Sequence, residues 1–522
     1  MHLNTKQTKS FNQLVELNGN SLTLEDVIDV ARHKAKVSLS EEAMEKTADS
    51  RRYIEELLDT KKTVYGVNTG FGKFSEVKIS KEDILKLQEN LIASHAVAVG
   101  EPFDEEVVRA IMLLRANALA KGYSGVRPEI IQLLIDMLNN EVHPVIPCQG
   151  SLGASGDLAP LSHMVLVMTG KGEAYYRDER MDGLSAMRKA GLKPWSLLEK
   201  EGLALINGTQ VMTAVAVFAV YDALNLSRVS DIVAALTMEA LEARKEPFDE
   251  KVYNARPHPG HLSTINNIKK LLEGSKNIDG EKVQDAYSIR CVPQVHGSTK
   301  ETLAHIKQIV DIEINSATDN PLVFAGADEV ISAGNFHGQP IAQAMDYLCV
   351  GLSELGNISE RRLERLLNAS LNGGYPPFLA QNGGVNSGLM IVQYTAASLV
   401  SENKGLSAPS SVDSIPVSAS QEDHVSMGTT AARKAYSITK NITYILAAEY
   451  IAAVQALDMK DNCCLGKGTS AAFSYLRSFI DPLTQDRVLY KDVEKVARSI
   501  HEESLVNNIC EIFKVEAFPG DE

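Results

Sequence analysis

Thr209-Gln210-Val211-Met212-Thr213-Ala214-Val215-Ala216-Val217-Phe218-Ala219-Val220 opens a run that continues to Arg244, and its reading decides the fold. Apolar residues recur at helical spacing, and they are too many for a helix with one wet face. His337 to Leu371 and Asp423 to Leu457 read in the same way. Helices of that length must bury more than one face. A long helical bundle, extended by association between subunits, is the economical solution. The expected fold is therefore mainly α, with a long-helix bundle and C-terminal helical region in residues 211–522. A smaller, loop-rich N-terminal region occupies residues 1–210, and the boundary is soft. The most apolar stretch, Val211 to Val220, is too short to span a bilayer.

Working outward, the whole chain agrees with this reading. It has 522 residues, of which 44% are hydrophobic and 23% charged, so a large core is available and disorder is excluded as the main state. Aromatic residues make up only 6%, with Trp195 the single tryptophan, while Ala and Leu are plentiful, which favours helix over sheet. Lys plus Arg number 52 and Asp plus Glu 67, for a net charge of −15. That sign argues against nucleic acid and against an anionic membrane surface as partners. Cys148, Cys291, Cys349, Cys463, Cys464 and Cys510 show no zinc spacing and read as reduced thiols of a cytoplasmic protein. The polar stretch Met1 to Ser10 lacks the apolar core of a secretory signal.

Upstream of the long run, shorter helices alternate with glycine-rich turns. Ser80-Lys81-Glu82-Asp83 reads as a helix N-cap with acidic first-turn residues, leading into a helical segment to Val99 that puts Ile84, Leu87, Leu91 and His95 near one face. Phe103 to Lys121 and Val126 to Asn139 follow, with Gly122 as the stop between them. Gly- and Pro-rich interruptions fall at Tyr65–Gly72, Cys148–Pro160, Arg256–Gly260, Gly373–Pro377 and Ala408–Pro416. There is no internal repeat.

The interruption Gly150-Ser151-Leu152-Gly153-Ala154-Ser155-Gly156-Asp157-Leu158-Ala159-Pro160-Leu161 carries the chemistry. If the Gly156 nitrogen attacks the Ala154 carbonyl, a five-membered ring closes. Loss of two waters then gives an imidazolone with a methylidene from the Ser155 side chain. Glycine at the attacking position removes the Cβ that would block so tight an approach. Asp157 is placed to assist proton transfers. A bare Ala-Ser-Gly is ordinarily a turn before a helix, with Asp157 near the helix N-terminus. A serine-nucleophile elbow is excluded, because G-x-S-x-G needs glycine where Asp157 stands.

The twelve-residue run resembles the signature of the aromatic amino acid ammonia-lyase and aminomutase family, whose members form a methylidene-imidazolone (MIO) from Ala-Ser-Gly. Four more stretches carry the resemblance: Tyr65 to Gly72, Glu201 to Thr209, Gln284 to Cys291, and Gly334 to Gly338. They run in family order over residues 60–430. The resemblance implies a fumarase/aspartase-like helical fold and a homotetramer whose active sites draw on several chains. It implies no external cofactor, the MIO arising autocatalytically from Ala154, Ser155 and Gly156. No metal ligand set is visible, so no metal is expected.

Ammonia elimination from an α-amino acid needs an electrophile for the amine and a base for the β-proton. By resemblance, the MIO is the electrophile and Tyr65 the base. An unperturbed tyrosine titrates at about 10, so its phenolate needs stabilising neighbours. Arg290 is the clamp for the substrate carboxylate, since its fork accepts two oxygens at once. Asn207, Gln284 and Tyr287 resemble the family's polar ligands for the MIO and the substrate, and Phe336 packs near the MIO ring. Singly, each of these would be an ordinary satisfied polar group or core side chain.

Two places discriminate among substrates. Ser94-His95 resembles the pair carried by histidine-specific members, where phenylalanine-specific ones tend to have Phe-Leu and tyrosine-specific ones His-Leu. Buried imidazole nitrogens need polar partners, which a phenyl ring does not. Gln421-Glu422-Asp423-His424-Val425-Ser426-Met427 resembles the histidine-specific form of its segment. Glu422 can hold an imidazole N–H or exchange a proton with it, and would be costly to bury beside a phenyl ring. The plain alternative is that Glu422 and Asp423 cap a helix N-terminus. The expectation is elimination of ammonia from L-histidine to trans-urocanate. The rivals are a tyrosine- or phenylalanine-specific lyase or aminomutase and a non-catalytic helical oligomer. Val97-Ala98 departs from the smaller residues usual after Ser-His, which bears on affinity.

Overall fold

The computed structural model describes residues 14–59, 64, 66, 67, 69, 70, 72–74, 77, 79–461 and 463–521. Four long helices dominate: Gln210–Ala240, Val292–Glu313, Gln339–Leu367 and Gly428–Asp458. The chain forms two compact units. One comprises Met1–Phe218, Gln308–Met345 and Pro409–Arg433; the other comprises Ala219–Lys307, Asp346–Ala408 and Lys434–Glu522.

In the first unit, the helix Glu105–Ala120 is buried at every position from Val107 onward. Its two buried arginines are paired with backbone carbonyls, as burial of a charge demands. Arg109 donates to Val30 O, Leu138 O and His143 Nε2. Burial, aided by that guanidinium, pushes His143 down to about 3, so the ring is neutral and accepts. Asp104 occupies the N-cap position with extended ψ, and the helix begins two residues after Phe103. Gly122 follows it with φ +78, and Pro128 opens the next helix, Pro128–Asn139. Strands are short. Val99–Pro102 pairs antiparallel with Pro147–Gln149, and Val142–Pro144, Glu173–Tyr176 and Glu179–Asp182 form a three-stranded sheet.

The second unit has a polar knot at its centre, to which each long helix contributes. Asp231 accepts from His296 at 2.7 Å and Asn267 at 2.8 Å, and pairs with Lys300 at 3.1 Å. Arg362 binds Glu449 through two bonds of 2.6 and 2.9 Å, and Thr237 and Ser359 complete the carboxylate's shell. All of these groups are fully buried. Such pairs add little net stability over apolar substitutes, but losing one partner strands a buried charge.

The helix Gln210–Ala240 corrects one expectation. It is 31 residues long with a window of mean hydropathy 1.3, enough to cross a membrane by length and composition. Counting only Val211 to Val220 understated it. Buried protein surrounds 94% of that window, so its apolar surface is already covered. The last long helix begins at Gly428 rather than Asp423, because residues 417–427 form an irregular turn that includes Met427 at φ +56.

Candidate active site

The site lies in the first unit, in a cavity of about 1130 Å³. One wall is the helix Lys81–His95. Ser80 caps it, its hydroxyl accepting from Asp83 N. Leu87, Asn90, Leu91, Ser94 and His95 all line the cavity, spaced by three and four residues along one face. His95 Nδ1 lies 2.8 Å from Leu91 O, and a carbonyl only accepts, so Nδ1 carries the proton. Burial pushes the ring's pKa below its ordinary value, against the smaller upward pulls of that bond and of Glu422. His95 is therefore neutral, with Nε2 as the ring's acceptor.

The loop of Ala154-Ser155-Gly156 reaches the same cavity through Ser155. Ser155 Oγ donates to Glu422 Oε1 at 3.3 Å, an arrangement that joins residues 267 positions apart. Glu422 does not cap a helix. It sits in a narrow turn where Val417 and Glu422 pair, with Ser418, Ala419 and Ser420 all at positive φ. Gly156 has φ +73, and a Cβ there would fall 2.2 Å from Gly208 O. That closeness comes from Asp157 N donating to Gly208 O at 2.7 Å.

Asp157 is fully buried, and its carboxylate caps the helix Gln210–Ala240, not the one it precedes. Val211 and Met212 N–H both donate to Oδ2 at 2.9 Å, while Ser151 and Thr429 hydroxyls donate to Oδ1. Burial nevertheless raises its pKa, outweighing the four bonds. Nearby, Glu313 accepts from Thr209 and is likewise raised, mainly by burial and also by the charge of Asp157.

Asn207 is 3% exposed. Its Nδ2 donates to Asn320 O at 3.0 Å, whereas Oδ1 has no partner among the described residues. Arg115, buried beneath, donates to the carbonyls of Asn207 and Ala204 and to Gln210. Burial lowers its pKa to about 10. An orphaned buried acceptor beside a tight Ala-Ser-Gly turn that only glycine can complete fits a condensed tripeptide at this place.

Five of the residues singled out in the sequence line this one cavity: His95, Ser155, Asn207, Phe336 and Glu422. Ala154 and Gly156 flank Ser155 and are buried. Tyr65 lies outside the described residues, although Gly70 and Gly72 of its loop line the cavity. Gln284, Tyr287 and Arg290 do not line it. They belong to the second unit and cluster there: Arg290 donates to Gln284 Oε1 at 2.6 Å and lies 4.7 Å from the Tyr287 ring. Tyr287 is 71% exposed. Sequence reasoning missed Asn90, though it precedes Ser94 by one helical turn and the spacing alone could have found it. It also missed Arg115 and Glu313, which look like ordinary surface charges when read in isolation.

With this geometry in place, comparison with known proteins is informative. The family model described as aromatic amino acid lyase matches residues 22–478. A histidine ammonia-lyase of Caldanaerobacter subterraneus subsp. tengcongensis is 58% identical over 482 residues, covering 92% of this chain and 95% of that protein. The crystal structure of histidine ammonia-lyase from Trypanosoma cruzi aligns with TM-score 0.90 at 40% identity, over 98% of this chain and 96% of that one. Tyrosine aminomutase from Streptomyces globisporus aligns with TM-score 0.91 at 37% identity, over 96% of this chain and 99% of that one.

Proposed function

The chain belongs to the aromatic amino acid lyase family, and we propose that it is a histidine ammonia-lyase, a carbon–nitrogen lyase converting L-histidine to trans-urocanate and ammonia. The observation that carries the reading is the meeting of Ser155, Glu422 and a neutral His95 around one cavity. A phenyl substrate would leave both polar side chains without use.

Condensed Ala154-Ser155-Gly156 supplies an electron-poor methylidene toward the substrate's amine. The chain's own residues do the rest. Asn207 Oδ1, without a partner among the described residues, accepts from the substrate's amine or its ammonium. Glu422 holds the imidazole N–H, and Nε2 of His95 offers a second acceptor in the same cavity. Phe336 packs against the reacting region and excludes water. Tyr65 takes the β-proton. Arg290, with Gln284 and Tyr287, clamps the substrate carboxylate. Gln284 and Tyr287 are exposed beside a half-buried Arg290, which suits service at a site of a neighbouring copy, in a homotetramer with shared sites. We place the enzyme in the cytoplasm on its cysteine usage.

Purified protein incubated separately with histidine, tyrosine and phenylalanine tests this. The reading requires urocanate from histidine as the preferred product. Preferential coumarate, cinnamate or a β-amino acid would replace it with the rival lyase or aminomutase reading.

A further inference from the structure

One short segment grips the Ala154-Ser155-Gly156 loop from both ends. On the N-terminal side, Met427 N–H donates to Leu152 O at 2.9 Å, and Ser426 Oγ donates to Gly153 O at 3.1 Å. On the C-terminal side, the Thr429 hydroxyl donates to Asp157 Oδ1. Ser426 and Thr429 are both buried. The fit has no slack. A Cβ on Gly153 would lie 2.2 Å from Ser426 Oγ, and one on Gly428 would lie 2.5 Å from Met212 Sδ. Met427 itself is held in the left-handed region, which a residue with a Cβ adopts only when its surroundings dictate it. That conformation accompanies the bond from its N–H to Leu152.

We propose that Ser426, Met427 and Thr429 are positioning residues for the condensation of Ala154-Ser155-Gly156, fixing Leu152, Gly153 and Asp157 so that the Gly156 nitrogen stays against the Ala154 carbonyl carbon. This rests on the reading above that the tripeptide condenses. In the step, a bond forms between Gly156 N and Ala154 C. The Ala154 oxygen leaves as water with the amide hydrogens of Gly156 and Ser155. Ser155 Oγ leaves as a second water with its own hydrogen and the Ser155 α-hydrogen. Nothing is oxidised or reduced. The closure is intramolecular, so its rate follows how often the two reacting atoms meet in line. A loop tied at one end samples many other conformations, whereas one tied at both ends has already lost that entropy.

The test follows condensation by the mass of the peptide containing Ala154-Ser155-Gly156, in full-length chains sampled at intervals after synthesis. Ser426→Ala and Thr429→Val remove one grip each, while Thr429→Ser keeps the hydroxyl. Both deletions should slow loss of the two waters by ~10-fold or more, with helicity as in the wild type. Thr429→Ser should condense at nearly the wild-type pace, and histidine turnover should track the condensed fraction across all chains. Should Thr429→Val lose helicity, Ser426→Ala against Thr429→Ser decides. Ser426→Ala condensing at the wild-type pace would overturn the proposal. A wild-type chain that never loses the waters would instead sink the condensation reading itself.

Discussion

Glu422 illustrates how far a single residue can be read. The sequence offered a specificity residue or a helix cap, and the cap is excluded because the helix begins six residues later, at Gly428. What the sequence could not supply was the partner, Ser155, since a contact across 267 positions depends on the whole fold. Glu422→Gln keeps the shape and removes the charge. Histidine turnover should fall by roughly 10²-fold or more, with the loss mostly in kcat; a steady-state assay showing wild-type kcat would refute a role in the reaction. Tyr65→Phe should lower kcat by a comparable roughly 10²-fold while leaving KM nearly unchanged. A pure rise in KM would assign Tyr65 to binding instead.

At the scale of elements, legibility followed local signals. The cap at Ser80 and the one-faced pattern beyond it marked the start and buried face of the helix Lys81–His95, because both depend only on neighbours in sequence, whereas its end falls at His95 and Val99 opens a strand. Three of the four long helices were visible as apolar runs. Val292–Glu313 was not, because Pro293, Gly297 and a scatter of charges disguise it. Its His296 and Lys300 face Asp231 in the second unit's core, and pattern reading assigns such residues to solvent. The short strands, three or four residues each, carry too little periodicity to be seen. The cap has a functional consequence. Ser80→Ala should cost about 1 kcal/mol in denaturant unfolding and raise KM for histidine, since the same helix aligns Asn90, Ser94 and His95. Unchanged stability and KM together would show that the helix is positioned without its cap.

For the whole molecule, the buried His143 makes stability fall with pH on the acid side. His143 titrates at about 3 when folded, against an ordinary value of 6.5, because burial and Arg109 disfavour the cation. The unfolded chain therefore binds this proton first as pH falls. Its contribution is intact above about 6.5 and is lost progressively toward about 3, amounting to roughly 3 kcal/mol by about pH 4. His143→Gln, which still offers Arg109 an acceptor, should flatten the acid limb of a stability profile; an unaltered limb would place the titration elsewhere. The proposed chemistry hangs on a different feature of the folded chain, the turn that sets Gly156 against Gly208. The most direct measurement is the mass of the peptide spanning those three residues in the purified wild-type protein. It should be lighter than the encoded peptide by two waters, and recovery of the encoded mass throughout would contradict the proposed chemistry.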